Sequence, residues 1–175
     1  MLATKLLEKQ HRKVEAIFAK LEKRSGDTEA LLTELANDLA GHMAIEQELF
    51  YPAIQGVDRD QVLEAYEEHA IAEVALKRLL TADTESDEFI ARVTTLKELI
   101  AHHVKEEESE LFPKVEEALG EERLTELGTQ MQAQFERVVK AGFESAVPRG
   151  YARTSSDVSK KALKKKSQGG RKKAA

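Results

Sequence analysis

Apolar residues recur every three or four positions in five successive stretches of this chain, the period of an amphipathic helix. The first stretch predicts a helix from about Ala3 to Arg24, with Leu7, Val14, Phe18 and Leu21 on its stripe. Ser25-Gly26-Asp27 ends it, and Asp27 is placed to cap the next. The second, about Thr28 to Ala53, carries Leu31, Leu32, Leu35, Leu39, Leu49 and Phe50, and Pro52 is expected to kink or end it. The third, about Gln61 to Thr81, carries Val62, Tyr66, Leu76 and Leu80. The fourth, about Asp87 to Leu119, carries Phe89, Val93, Leu96, Ile100, Leu111 and Val115 and stops at Gly120. Four such helices with short connections predict an all-α fold, an up-down-up-down four-helix bundle over residues 1–118. A fifth, shorter helix, about Glu121 to Lys140, is expected to pack on the outside or end of the bundle, so residues 119–144 form an accessory element.

Beyond that the period stops. Residues 145–175 hold ten Lys/Arg and one acid, a net of +9, so the chain's overall −5 leaves −14 on residues 1–144. An aperiodic segment of like charge is expected to be a disordered basic tail. There is no cysteine, which excludes disulfides, thiolate zinc sites and iron–sulfur clusters held by this chain. No run of 18 apolar residues and no signal-like leader occur, so the expectation is a cytoplasmic protein with no membrane association.

Four of the stripes carry a histidine: His11, His42, His69 and His103. Each is followed four residues later by a glutamate, Glu15, Glu46, Glu73 and Glu107. That spacing puts both side chains on one helix face, one turn apart. The second and fourth copies sit in related runs, HMAIEQELFYP at 42–52 and HVKEEESELFP at 103–113. The offsets of 58 and 61 residues make 1–57 and 59–118 two copies of one helical hairpin, with a pseudo-two-fold axis between them.

A lone histidine on an apolar stripe is most often a hydrogen-bonded core residue. If about three-sevenths of helix positions face the core, four independent hits arise by chance at roughly 3%. Burying four imidazoles together with Glu46 and Glu107 would cost several kcal/mol without a cation. The donor mixture suits iron, manganese or zinc better than calcium or magnesium. Glu73 shares the stripe of His69 and is a further candidate ligand, whereas Glu15 falls toward the surface. Tyr66, one turn before His69, is placed for core packing or for hydrogen bonding to a ligand. His102 pairs with Glu106 and reads as an outer-face or supporting residue. The ferritin-like di-iron pattern needs Glu-x-x-His on two helices, and Glu8-x-x-His11 is the only match. No His-Glu-x-x-His zinc-protease motif occurs.

The order His, His-x-x-x-Glu, His, His-x-x-x-Glu, one element per helix, with Phe-x-Pro or Phe-Pro following each glutamate run, resembles the hemerythrin-like (HHE cation-binding) family over residues 1–118. The resemblance implies a non-haem di-iron centre with an oxo or hydroxo bridge. It makes His11, His42, His69 and His103 terminal ligands and Glu46 and Glu107 bridging carboxylates. It also implies O2, H2O2 or NO as the small-molecule partner, in sensing, detoxification or iron and oxygen handling, with catalase-like turnover as the enzymatic variant. Oxygen-carrying hemerythrins have His-x-x-x-His on the third helix. Glu73 in that place is a harder, anionic donor that favours ferric iron and argues against reversible oxygen transport. The contrasting function is a nucleic-acid-associated helical protein with a structural metal site. Its tail, 145–175, would bind phosphates weakly, without sequence preference and with steep salt dependence.

Overall fold

The computed structural model describes residues 1–145. Helix α1 runs Ala3–Glu22 and α2 runs Thr28–Ile45. A π-helical turn, Glu46–Phe50, continues α2 directly into α3, Tyr51–Ile54. Then come α4, Arg59–Leu80, and α5, Asp87–Glu106, and a second π-helical turn, Glu107–Leu111, leads into α6, Phe112–Ala141. Three helix starts use the side chain the sequence offers: Asp27 accepts from the Ala30 amide at 3.1 Å, Asp58 from Gln61 at 3.2 Å and Ser86 from Phe89 at 3.1 Å. The result is the all-α four-helix bundle expected, with an extra C-terminal helix. The basic tail lies, from residue 146 onward, outside the described residues. Among the described residues no helix is long and apolar enough to cross a membrane.

The prolines do not end their helices. Each follows a π turn, in which the Tyr51 amide reaches back to the Glu46 carbonyl and the Phe112 amide to that of Glu107. The extra residue absorbs the register change that Pro52 and Pro113 would otherwise impose by lacking an N–H. The Gln47 carbonyl, left without a helical donor beside Pro52, accepts from the Tyr66 hydroxyl at 3.0 Å. The fourth helix breaks at Gly120, as expected. That residue adopts φ 72 and ψ 170, the chain bends there, and α6 resumes as the fifth helix of the molecule. This limb lies across α1 and α2, with the Phe135 ring seated on Gly41. At Gly128 a Cβ would stand 2.3 Å from the Met1 carbonyl oxygen, so the backbones meet with no room for a side chain.

The core has two hydrophobic clusters. One is built around Phe18, Leu35, Leu76, Phe89 and Leu96. The other is built around Leu7, Ile45, Phe50, Tyr51, Val62 and Val115. His11, His42, His69 and His103 each fall in sequence between residues of the two clusters, so a polar layer crosses the bundle where the apolar packing is interrupted.

Candidate metal centre

The four histidines come from α1, α2, α4 and α5, and all four are buried. They meet in two pairs. His11 and His42 bring their Nε2 atoms within 3.2 Å, and His69 and His103 within 3.1 Å. Glu46 and Glu107, the first residues of the two π turns, lie between the pairs. Glu46 Oε2 is 3.1 Å from His42 Nε2 and 3.4 Å from His69 Nε2. Glu107 Oε2 is 3.5 Å from His11 Nε2 and 3.5 Å from His103 Nε2. Each carboxylate therefore reaches one imidazole of each pair. His11, His42, Glu46 and Glu107 converge on one point, and Glu46, His69 and His103 on a second.

This set fits a pair of metal ions. Both Glu46 oxygens and Glu107 Oε2 are buried with no hydrogen-bond partner, an arrangement that is costly unless a cation completes it. Electrostatics point the same way. Burial, helped by the charge of Glu107, pushes the Glu46 carboxyl well above the usual range. Burial also acts on Glu107, but the imidazoles of His103 and His11 outweigh it and hold that carboxyl below its ordinary value. Burial and the facing imidazoles hold His42 and His69 well below theirs. Neutral imidazoles with free Nε2 lone pairs are the form that ligates metal.

Every Nδ1 of the four is engaged. His11 faces Glu108 Oε1 at 2.8 Å, His42 faces Gln10 Oε1 at 2.8 Å, and His103 faces Glu68 Oε2 at 2.7 Å. The Gln47 amide lies 3.2 Å from His69 Nδ1. Such contacts hold the rings with Nε2 directed inward.

Tyr51 is the site residue that helical periodicity misses. Its hydroxyl donates to Glu107 Oε1 at 2.9 Å and lies 3.3 Å from His69 Nε2. In an unbroken α-helix a residue five beyond Glu46 points far off its face. The π turn stacks residue 51 over residue 46 instead, and both are fully buried. The signal available in the sequence was Pro52 within a helical pattern. The same turn in the second copy brings in Phe112, whose ring stacks on His11 at 6.1 Å between centroids. At this position the two copies differ by a single hydroxyl.

Glu73 is buried on α4 one turn beyond His69, whose Nε2 lies beside the Tyr51 hydroxyl. Tyr66 packs edge-on to Tyr51 with centroids 5.3 Å apart, and burial raises its phenol to about 12. Its hydroxyl serves the Gln47 carbonyl rather than the pockets. His102 is on the outer face, 3.3 Å from Glu106 and 3.7 Å from Glu68. Glu15 is at the surface with Arg12.

Among curated proteins the chain is similar to a DNA nickase from Nostoc sp., with 26% identity over 132 residues. That match takes in 73% of this chain but 37% of the nickase, so the chain spans little more than a third of the length of the curated relative it matches. Among solved structures it is similar to a hemerythrin HHE cation binding domain-containing protein from Mycobacterium kansasii, with a TM-score of 0.71 and 25% identity. That superposition covers 81% of this chain and 89% of the other. The Hemerythrin HHE cation binding domain itself matches residues 2–115, a span that takes in the four bundle helices through both π turns. The chain belongs to the hemerythrin HHE cation-binding domain family.

Proposed function

We propose that this chain is a non-haem di-iron protein that binds O2, peroxide or NO and serves in sensing, detoxification or iron and oxygen handling. The observation that carries the reading is the placement of Glu46 and Glu107, each within reach of one imidazole of both pairs and each with buried oxygens that lack a partner. Two ions there would be held by His11 and His42 on one side, by His69 and His103 on the other, and by both carboxylates between. Iron in that donor set supplies reversible electron transfer to a small oxygen or nitrogen ligand. The protein's own part is to exclude bulk water, orient the rings and hold a proton. The Tyr51 hydroxyl, donating to Glu107 Oε1, is the proton nearest the centre. Phe112 leaves the other side apolar, and we assign the open position for a small ligand to that side. Glu73 is the reserve donor. Loss of one metal in Glu73→Gln would place it in the coordination sphere, and full retention would leave six protein ligands.

Metal content and an optical spectrum before and after peroxide test the reading. Near two irons per chain, with near-ultraviolet bands that change on peroxide addition, is the expected result. Zinc alone, or no metal after expression with ample iron, overturns it. His42→Ala with His103→Ala is expected to abolish metal binding.

A second reading is favoured by the charge of residues 145–175 and by the similarity to the Nostoc DNA nickase. In it the chain is a nucleic-acid-associated helical protein with a structural metal site. Deleting 145–175 would then remove salt-sensitive DNA binding and leave metal content unchanged.

A further inference from the structure

The contacts behind the four histidines follow the internal repeat, and the repeat has diverged in one consistent way. The residue before the first histidine of each hairpin is Gln10 in the first copy and Glu68 in the second. The residue after each bridging glutamate is Gln47 in the first copy and Glu108 in the second. All four act at the same atom, the outward Nδ1 of a pocket histidine. Gln10 serves His42, Glu68 serves His103, Gln47 serves His69 and Glu108 serves His11. The crossing of the chain deals these out evenly, so each pocket has one imidazole backed by a carboxylate and one backed by an amide.

An imidazole that donates to a carboxylate is a stronger donor at its other nitrogen than one whose Nδ1 meets an amide, whether it donates to the amide oxygen, as His42 does to Gln10 Oε1, or faces the amide nitrogen, as His69 faces Gln47 Nε2. It also brings negative charge close to the centre, which favours the higher oxidation state. The two carboxylates are not equivalent. Glu108 is also held by the Arg12 guanidinium, which offsets its charge. The second oxygen of Glu68 faces His102 at 3.7 Å, with no guanidinium upon it. Burial alone would place an acid where solvent reaches and an amide where it does not, and the two acids are indeed the more exposed. Solvent contact does not explain why both acids turn an oxygen inward to 2.7 and 2.8 Å from Nδ1.

We propose that Glu68 and Glu108 are positioning residues that set the charge felt at the two metal positions, and that Arg12 leaves the position held by His69 and His103 the more readily oxidised. This rests on the di-iron reading above and deepens it, because it says which of two similar pockets gives up an electron first.

Spectroelectrochemical titration of the iron-loaded full chain tests it, with metal content measured alongside. Glu68→Gln is expected to shift the ratio of oxidised to reduced centre about tenfold toward the reduced form, about 59 mV for a one-electron couple. Glu108→Gln should move it the same way by less. Arg12→Gln, at an exposed position, and Gln10→Glu should both move it toward the oxidised form. An unchanged potential in Glu68→Gln with both metals retained would overturn the proposal, as would Gln10→Glu and Glu68→Gln moving in the same direction, which marks a packing effect. Should Glu68→Gln fail to hold metal, Arg12→Gln and Gln10→Glu decide by their sign. A wild-type chain that binds no metal pair would instead defeat the di-iron reading, and this inference with it.

Discussion

Directly after the two π turns, the halves of the centre differ by a single hydroxyl. Tyr51 and Phe112 occupy equivalent places after the two π turns, yet only Tyr51 can donate to a carboxylate of the centre. Burial and the charge of Glu107 keep its phenol well above its ordinary value, so it is a donor and not an anion when no metal is bound. Removing it in Tyr51→Phe deprives Glu107 Oε1 of the hydroxyl that donates to it, a loss of about 1–3 kcal/mol for a buried charged acceptor. Loaded with metal, the carboxylate has another partner, and the loss should shrink. Denaturation of metal-free and metal-loaded Tyr51→Phe checks this, and equal losses in the two forms would count against a shared role for Glu107. The seven histidine and glutamate ligand candidates, Glu73 among them, stood out in the sequence because histidine and glutamate are rare on apolar stripes. Tyr51 was not, because tyrosine is ordinary in a core and its direction depends on a turn that the α-helical period does not describe.

At the scale of elements, the two π turns do the work of aiming. Each starts at a buried glutamate of the centre and ends two residues before a proline. The Tyr66 hydroxyl completes the first of them by donating to the Gln47 carbonyl. Tyr66→Phe leaves that buried carbonyl without its donor and is expected to destabilise the chain by about 1–2 kcal/mol, measured by chemical denaturation, with metal stoichiometry retained. The fifth helix offers a second test. Ala at Gly128 would meet backbone at 2.3 Å rather than a flexible side-chain end. Despite the gain in helix propensity, Gly128→Ala is expected to cost about 1–3 kcal/mol. A more stable Gly128→Ala protein would mean that the first residues of the chain yield without loss. The helices and the existence of the fifth helix followed from the period of apolar residues, and the Asp27 cap from its residue type. Its seat across α1 and α2 did not, because its apolar stripe names a face to bury and not the partner that buries it.

For the whole molecule, the centre links folding, protons and metal. In the metal-free chain His42 and His69 sit well below their ordinary value of 6.5, so the unfolded chain takes up protons there that the folded one refuses. Their contribution is intact above that pH and is lost as pH falls below it. Glu46 has the opposite sign: its folded carboxyl is raised well above 4.5, so its contribution is intact below that pH and is lost as pH rises. Metal takes the place of the proton on Glu46 and of any proton on the imidazoles, so its stabilising effect grows with pH. The increase in melting temperature on metal loading is therefore expected to be larger near about pH 8 than near about pH 5. A rise that is independent of pH would indicate ions bound elsewhere.

The sequence by itself determined the helical period, the two-fold repeat and the identity of the residues that interrupt the apolar stripes. Those are local properties, read from spacing along one helix at a time. Only the tertiary structure decided which histidines pair, that Glu46 and Glu107 each reach across both pairs, that Tyr51 stands beside His69 Nε2, and which acid or amide backs each ring. Each of these is a contact between residues far apart in the chain. It depends on how four helices are rotated about their own axes, and that rotation is set by packing the two apolar clusters and by the two π turns between them.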